Sequence, residues 1–279
     1  MKIIHKLPTH PSLDGDNVKI QRAHDFSGRW LDPFLMVDHI HSDQPKDFSG
    51  GFPPHPHRGI ETLTYMLTGG FIHQDHLGHK KSIGAGQIQW MRAGSGIIHA
   101  ETPNPHPNKG LNGFQIWINM AAKDKLKPPA YADSSESPLT NLTSHEYDIK
   151  LIAGDLALPE LSMQSPIKLA GNAVIADFTI KRDFELCLSF NQFDTLFIFI
   201  IEAPAHQKKY SADHVYIVDS QQRFCEYFSA GIRFLLFAGL AHREPIAHLG
   251  PFVMNHPEEI QQAVQDYQSG HFIRSLSTK

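Results

Sequence analysis

The sequence is built from short runs of β-branched and aromatic residues, which glycine and proline interrupt at close intervals. The run at residues 60–67 (IETLTYML) stops at Gly69-Gly70, and residues 114–119 (FQIWIN) alternate between apolar and polar side chains. Strands this close together, with turn signals between them, favour a sandwich or barrel over βαβ units. The pattern therefore predicts an all-β fold.

The β pattern occurs on both sides of a segment of different composition. Residues 122–145 are polar and contain three prolines, so helix and sandwich strand are both disfavoured there and we predict an interdomain linker. We expect two domains, residues 1–135 with the start of the linker and residues 136–279. The β-like runs of the second half are residues 148–153, 173–180, 186–190, 196–201, 214–218 and 233–237.

The carboxyl end carries the signature of one short packing helix. Pro257 suits the first helical position, and Glu258 and Glu259 would then lie in the first turn, where acids favour the helix dipole. Ile260, Val264 and Tyr267 share a helical spacing and would form an apolar stripe.

Composition excludes several classes of protein. The chain has 41% hydrophobic residues and a net charge of -4, which is ordinary for a soluble protein and lacks the basic footprint of a nucleic-acid binder. Cys187 and Cys225 are too few for a disulfide framework. No stretch has the length of a signal peptide core or a membrane span, so we expect a cytoplasmic protein without direct nucleic-acid or membrane contact.

The chain contains nineteen histidines, most of which we expect at the surface, but two pairs of residues stand out. Residues two apart on a strand point to the same face, so His55-Pro56-His57 would present two imidazoles side by side. His99-Ala100-Glu101 would add a third imidazole and a carboxylate. A lone H-x-H pair is weak evidence of a metal site, but if these two strands are neighbours, four ligands converge.

Three neutral nitrogens and one carboxylate suit a borderline divalent ion such as iron, manganese, nickel, copper or zinc. A closed structural zinc site would usually carry thiolates. Glu61 follows His57 at even spacing and could therefore lie on the same face. It would be either a further group facing the metal or, as we favour, a carboxylate that hydrogen-bonds a ligand imidazole. We interpret His73, His76 and His79, which flank Gly78, as a solvated turn rather than a second metal site.

Several longer segments resemble one known family. Residues 50–69 follow G-x4-H-x-H-x3-E-x7-G, which is similar to the first cupin motif, with one residue fewer before the first histidine and one more before the last glycine. The strings that resemble pirins specifically are LDPFLMVDHI (Leu31–Ile40), PHPHRGIETLTYMLTGG (Pro54–Gly70), QWMRAGSGIIHAE (Gln89–Glu101) and REPIAHLGPFVMN (Arg243–Asn255).

The resemblance to pirins implies two cupin-type β-barrels (a bicupin of double-stranded β-helices). It implies one divalent transition metal in the amino-terminal barrel, generally Fe(II), with Mn, Ni, Cu or Zn as alternatives. The ligands that fall on the matching motif positions are His55, His57, His99 and Glu101. The second half contains no H-x-H, so we expect a metal-free carboxyl-terminal barrel.

The family also implies function. Bacterial members include quercetin 2,3-dioxygenases, which open a flavonol ring with dioxygen, and we expect this activity here with Glu101 as the general base. The alternative is a non-enzymatic, metal- or redox-sensing pirin that regulates a protein partner, as eukaryotic members do. A metalloenzyme with another substrate is a third reading, because one fold hosts many reactions. Arg92 and Ser95 depart from the usual family pattern, which leaves the substrate open.

Overall fold

A computed structural model describes residues 1–26 and 31–273, and it contains many short strands and one α-helix. Within these residues no helix is both long enough and apolar enough to cross a bilayer. The first strands are β1 (Ile3–Pro8), β2 (His10–Asp14), β3 (Val18–His24), β4 (Phe34–Ser42), β5 (Phe52–His57), β6 (Ile60–Thr68), β7 (Gly70–Asp75), β8 (Lys80–Ile83), β9 (Ile88–Arg92), β10 (Ile97–Asn104), β11 (Leu111–Asn119) and β12 (Ala130–Asp133).

The later elements are again strands, followed by the helix. They are β13 (Thr140–Thr143), β14 (Tyr147–Ala153), β15 (Asp155–Ala157), β16 (Ser162–Gln164), β17 (Val174–Ile180), β18 (Phe184–Leu188), β19 (Thr195–Glu202), β20 (His214–Val218), β21 (Phe224–Phe228), β22 (Arg233–Gly239), β23 (Ala247–Leu249), β24 (Phe252–Met254) and α1 (Pro257–Gln268). The prediction of an all-β chain with a short carboxyl-terminal helix is confirmed.

The described chain packs as two compact units, each made of separate segments. The first unit comprises Met1–His10, Arg22–Leu35 and Ser137–Ala241, and the second comprises Pro11–Gln21, Met36–Glu136 and His242–Lys279. The predicted domains 1–135 and 136–279 stay a prediction, because packing units group residues by contact rather than by chain order. Residues 27–30 and 274–279 of those predicted domains lie outside the described residues.

The second unit contains a seven-stranded and a four-stranded sheet. Their strand orders are β12-β9-β6-β11-β4-β3-β2 and β5-β10-β7-β8. Buried apolar residues pack together in this unit, as the alternating sequence pattern requires. They are Val18, Ile20, Ile40, Phe48, Phe52, Met66, Phe71, Ile83 and Leu111.

The first unit has a seven-stranded sheet in the order β1-β20-β19-β22-β17-β14-β13. A separate pair, β18 and β21, places Cys187 opposite Cys225, and the two form a disulfide. The core of this unit is rich in aromatic residues, including Phe178 stacked on Phe234 with ring centroids 5.0 Å apart. The two cysteines thus supply one local cross-link rather than a disulfide framework.

The predicted linker is wrong in one respect, because residues 122–145 contain two strands. β12 pairs with β9, and β13 pairs with β14, each at the edge of its sheet. Edge strands pair on one side only, so they tolerate the polar composition and nearby prolines that disfavour a central strand. The partner strand supplies the order that the local sequence does not indicate.

The carboxyl-terminal helix packs within the second unit through a buried arginine. Arg58 is 2% exposed, and its guanidinium donates to Asp266 Oδ2 at 2.7 Å and to the Ser95 carbonyl at 2.7 Å. The same guanidinium lies over the Phe272 ring, 4.5 Å from its centroid. Because Arg58 directly follows His57, the helix is tied to the strand end that carries the candidate ligands.

A buried ammonium group holds the turn between β5 and β6. Lys125 Nζ donates to the Gly59 carbonyl at 2.7 Å, to Asn119 Oδ1 at 2.7 Å and to the Val253 carbonyl at 3.0 Å. Gly59 has φ of +81°, and a Cβ there would meet the Val253 oxygen at 2.0 Å, so only glycine fits. One side chain therefore fixes the turn that ends the H-x-H strand.

We expect Lys125→Met to lower the free energy of unfolding by about 3 kcal/mol, because it leaves buried oxygens without their charged donor. Equilibrium urea denaturation of the full chain measures the change. Lys123→Met, at an exposed position two residues away, is the matched control and should stay within about 0.5 kcal/mol of the native chain. Equal stability of both variants would contradict a structural role for Lys125.

Candidate metal centre

The two motif strands, β5 and β10, are antiparallel neighbours in the four-stranded sheet. Their register places His99 opposite His55 and Ile97 opposite His57. Side chains at directly opposed and alternate positions point to the same face of a sheet. His55, His57 and His99 therefore converge, and they offer ligand atoms that all lie within 4.8 Å of one another.

Backbone carbonyls orient two of the three rings. His55 Nδ1 lies 2.8 Å from the Pro53 oxygen, and His57 Nδ1 lies 3.3 Å from the Pro251 oxygen. Since a carbonyl only accepts, each Nδ1 carries a proton and donates it, and in a neutral ring the lone pair is then on Nε2. Those two Nε2 atoms are only 2.9 Å apart. Two lone pairs at this distance repel each other unless a proton or a metal ion lies between them.

The third ring supplies an unpartnered nitrogen. His99 is 3% exposed, and no described residue offers a hydrogen-bond partner to its buried Nε2. A buried polar nitrogen without a partner is costly, and a metal ion would satisfy it together with the other two lone pairs. The donor set thus fits a divalent transition metal, which imidazole nitrogen binds well.

Burial keeps the imidazoles of His57 and His99 neutral. Desolvation lowers the pKa of His57 well below the usual value, and the neighbouring His55 lowers it further. Desolvation also lowers the pKa of His99 well below the usual value, with further lowering by His57 and His55. A metal binds the unprotonated ring, so both side chains are ready to ligate at neutral pH.

Glu101 lies on the same strand as His99, two residues further along. Its side chain is buried, and its Oε1 accepts hydrogen bonds from Gln89 Nε2 and, at 3.2 Å, from Thr64 Oγ1. Burial raises the pKa of the Glu101 carboxyl, although His73 and His55 oppose the rise. The Glu101 oxygens do not belong to the cluster of ligand atoms formed by His55, His57 and His99. The register of β10 with β5 also shifts between His99 and Glu101. The role of Glu101 as a fourth ligand therefore stays a prediction.

The polar support of Glu101 was not predicted from sequence. Gln89 on β9, Thr64 on β6 and Gln115 on β11 meet because β6 pairs with both other strands, and Thr64 stands opposite Gln89 and Gln115. Thr64 Oγ1 lies 2.6 Å from Gln115 Oε1. In the sequence, each of these strands shows only a polar residue at a position that alternation turns inward. Such a residue by itself does not indicate which side chain it contacts.

An aromatic side chain borders the histidine cluster. The Trp117 ring on β11 lies edge-on to the His57 ring, with centroids 5.0 Å apart. Trp117 is partly exposed, so it offers aromatic surface beside the candidate ligands.

Two expectations about nearby residues are wrong. Glu61 does not share the face of His57, because the turn at Gly59 separates β5 from β6 and cancels the even spacing. On β6, Glu61 is an odd number of residues from Thr64, which contacts Glu101, so Glu61 points to the opposite face. His73 is not part of a solvated turn, because it is 1% exposed and its Nδ1 lies 3.5 Å from His99 Nδ1.

Comparison with known proteins assigns the family. Residues 17–118 match the Pirin family model, and residues 175–273 match the model of the Pirin C-terminal cupin domain. A Vibrio cholerae protein, provisionally named a quercetin 2,3-dioxygenase, is 36% identical over 275 residues that cover 97% of each chain. The chain belongs to the pirin family. Pirin-like protein 2 of Arabidopsis thaliana is 35% identical and matches 96% of this chain and 84% of its own length.

Solved structures agree with the pirin assignment. A crystal structure of quercetin 2,3-dioxygenase from Acinetobacter baumannii superposes with a TM-score of 0.82 at 25% identity, covering 97% of this chain and 98% of that one. The bacterial pirin YhhW of Escherichia coli, in complex with nickel(II), shares the fold, with a TM-score of 0.60 at 20% identity over 85% of this chain and 99% of that one. The prediction of two cupin domains is confirmed.

We expect the metal-free pirin to lose stability as the pH falls below about 6.5, the usual pKa of histidine. Because the folded-state pKa of His57 and of His99 is lowered, the unfolded chain binds protons that the folded chain does not, and stability rises with pH through that window. Urea denaturation at a series of pH values measures the slope.

His99→Gln should reduce that slope, because it removes one of the buried imidazoles whose pKa is lowered in the folded chain. His10→Gln, at an exposed position, is the matched control. An unchanged pH dependence in His99→Gln would contradict a buried, neutral His99.

Proposed function

We propose that this pirin is a metal-dependent dioxygenase of the quercetin 2,3-dioxygenase type, which opens a flavonol ring with O2. The observation that carries the proposal is the convergence of three histidine nitrogens, one of them buried without a partner, beside the buried carboxylate of Glu101. Relatives of similar length in Vibrio cholerae and Pseudomonas aeruginosa are provisionally named for the same reaction, at 36% and 33% identity. The substrates would be a small planar aromatic molecule and dioxygen.

His55, His57, His99 and Glu101 would hold one divalent transition metal. We propose Fe(II), with Mn, Ni, Cu and Zn as alternatives that the same nitrogen and oxygen donors accept. When bound, the cation lowers the pKa of a coordinated hydroxyl group and stabilises negative charge on it. The carbonyl contacts of His55 and His57 keep their Nε2 lone pairs directed at the ion.

Glu101 would accept the proton of the flavonol hydroxyl on its carboxylate. Burial raises the pKa of this carboxyl, which makes its ionised form a stronger base than an exposed glutamate. The Gln89 amide and the Thr64 hydroxyl hold Oε1 by hydrogen bonds and so set the direction of the group. Trp117 would contribute an aromatic surface for the planar substrate beside His57.

The regulatory alternative uses the same ligands, so the donor set does not favour it over the enzyme. The relatives named for dioxygenase activity favour the enzymatic reading. A cytoplasmic location and a regulated protein partner stay predictions from the sequence.

We expect Glu101→Gln to reduce quercetin turnover per bound metal by about 100-fold or more, because general-base catalysis contributes that much. Quercetin absorbance is followed in air, carbon monoxide release is measured, and metal content is determined by elemental analysis of the same sample. Dividing rate by bound metal separates loss of the base from loss of the ion.

Glu61→Gln is the matched control, because it neutralises a buried carboxyl on the opposite face of β6 and should change turnover by no more than about twofold. His55→Ala should abolish both stoichiometric metal and turnover. Full activity per bound metal in Glu101→Gln would refute the base role, and the absence of metal under every loading condition would refute the metal centre.

A further inference from the structure

Asp75 is a buried carboxylate near the histidine cluster, and the proposed reaction does not use it. Its side chain is 0% exposed, and its Oδ2 lies 3.0 Å from His73 Nε2 and 2.8 Å from His79 Nδ1. Its Oδ1 accepts the backbone N–H groups of Leu77 at 2.9 Å and His79 at 3.1 Å. Burial opposes ionisation, but the hydrogen bonds from His73 and His79 lower the pKa of Asp75 to about 2. At neutral pH this carboxylate is therefore an acceptor only.

His73 links Asp75 to the candidate metal ligand His99. Since Asp75 only accepts, His73 Nε2 carries a proton and donates it at 3.0 Å. In the neutral ring, His73 Nδ1 is then an acceptor, and it faces His99 Nδ1 at 3.5 Å. The Tyr131 ring stacks on His73 with centroids 4.5 Å apart, which limits rotation of the imidazole.

The register of β7 with β10 brings Asp75, His73 and His99 together. β7 pairs with β10 so that Asp75 stands opposite His99 and His73 stands opposite Glu101. The contact from His73 to His99 is therefore diagonal across two neighbouring strands, within reach of ring side chains.

We propose that Asp75 and His73 form a relay that sets the tautomer of His99 and so directs its Nε2 lone pair at the metal. The proposal rests on the metal centre of the proposed function and makes His73 and Asp75 positioning residues. Backbone carbonyls, which can only accept, set the tautomers of His55 and His57 in the same way. For His99 the acceptor is another imidazole, whose own tautomer depends on one carboxylate.

Asp75→Asn tests the relay, because it should move the proton of His73 and the proton of His99 to the other nitrogen of each ring. The asparagine Oδ1 can still accept the backbone N–H groups that order the turn, while its Nδ2 replaces the acceptor oxygen with a donor. His73 would then accept at Nε2, carry its proton on Nδ1 and donate to His99 Nδ1. His99 would be left protonated on Nε2, the nitrogen that must bind the metal.

The tautomers are read directly in the metal-free full chain by two-bond 1H–15N correlation spectra of labelled histidines. We expect His99 protonated on Nδ1 in the native chain and on Nε2 in Asp75→Asn. The same tautomer of His99 in both proteins would overturn the relay. This readout needs neither metal nor turnover, so it stands apart from the proposed activity.

Metal affinity gives the second readout, with zinc and nickel ions in competition against a chromophoric chelator. Asp75→Asn and His73→Phe should each weaken binding by about 10- to 100-fold, the usual effect of removing a group that orients a ligand. His73→Phe keeps a ring against Tyr131 and serves if Asp75→Asn does not fold.

His79→Phe is the matched control, because His79 also contacts Asp75 Oδ2 and stacks on Tyr131 without touching His99 among the described contacts. It should leave the metal affinity unchanged to within about twofold. Equal affinity in His79→Phe and His73→Phe would overturn the proposal. If the native chain binds no metal, the metal centre fails while the spectra still decide the relay; binding without turnover refutes only the proposed activity.

Discussion

The antiparallel pairing of β5 with β10 is the interaction on which the rest of the site depends. It is made of backbone hydrogen bonds, and its register alone decides that His55 faces His99 across the sheet. A shift of one residue would turn the imidazoles to the other face, because side chains alternate along a strand. The positions of the histidine nitrogens thus depend on a ladder of backbone hydrogen bonds between two strands.

The pairing is itself held by buried charged groups at the end of β5. Arg58 binds the carboxyl-terminal helix through Asp266, and Lys125 binds the Gly59 and Val253 carbonyls. Each group is buried with its donors satisfied by several acceptors, which offsets the desolvation of the charge. The helix at the carboxyl end is therefore part of the support of the amino-terminal motif, far from it in the chain.

Polar groups around the histidines form two separate networks. Gln89 and Thr64 hold the Glu101 carboxylate, whose pKa burial raises. Asp75 and His73 approach His99 from the neighbouring strand β7, with a carboxylate that stays ionised. The pKa of the Glu101 carboxyl is thus raised and that of Asp75 is lowered, because Asp75 meets more hydrogen-bond donors than Glu101 does.

The sequence by itself determined the all-β class, the helix beginning at Pro257 and the two motifs that carry the histidines, because alternation and spacing are local properties of a chain. It misplaced Glu61 because a glycine turn cancels the alternation, and it took residues 130–133 and 140–143 for linker because edge strands depend on a partner. Only the tertiary structure decided that His73 is buried against His99 and that Gln89, Thr64 and Gln115 meet. Those contacts join strands through register, which no local pattern encodes.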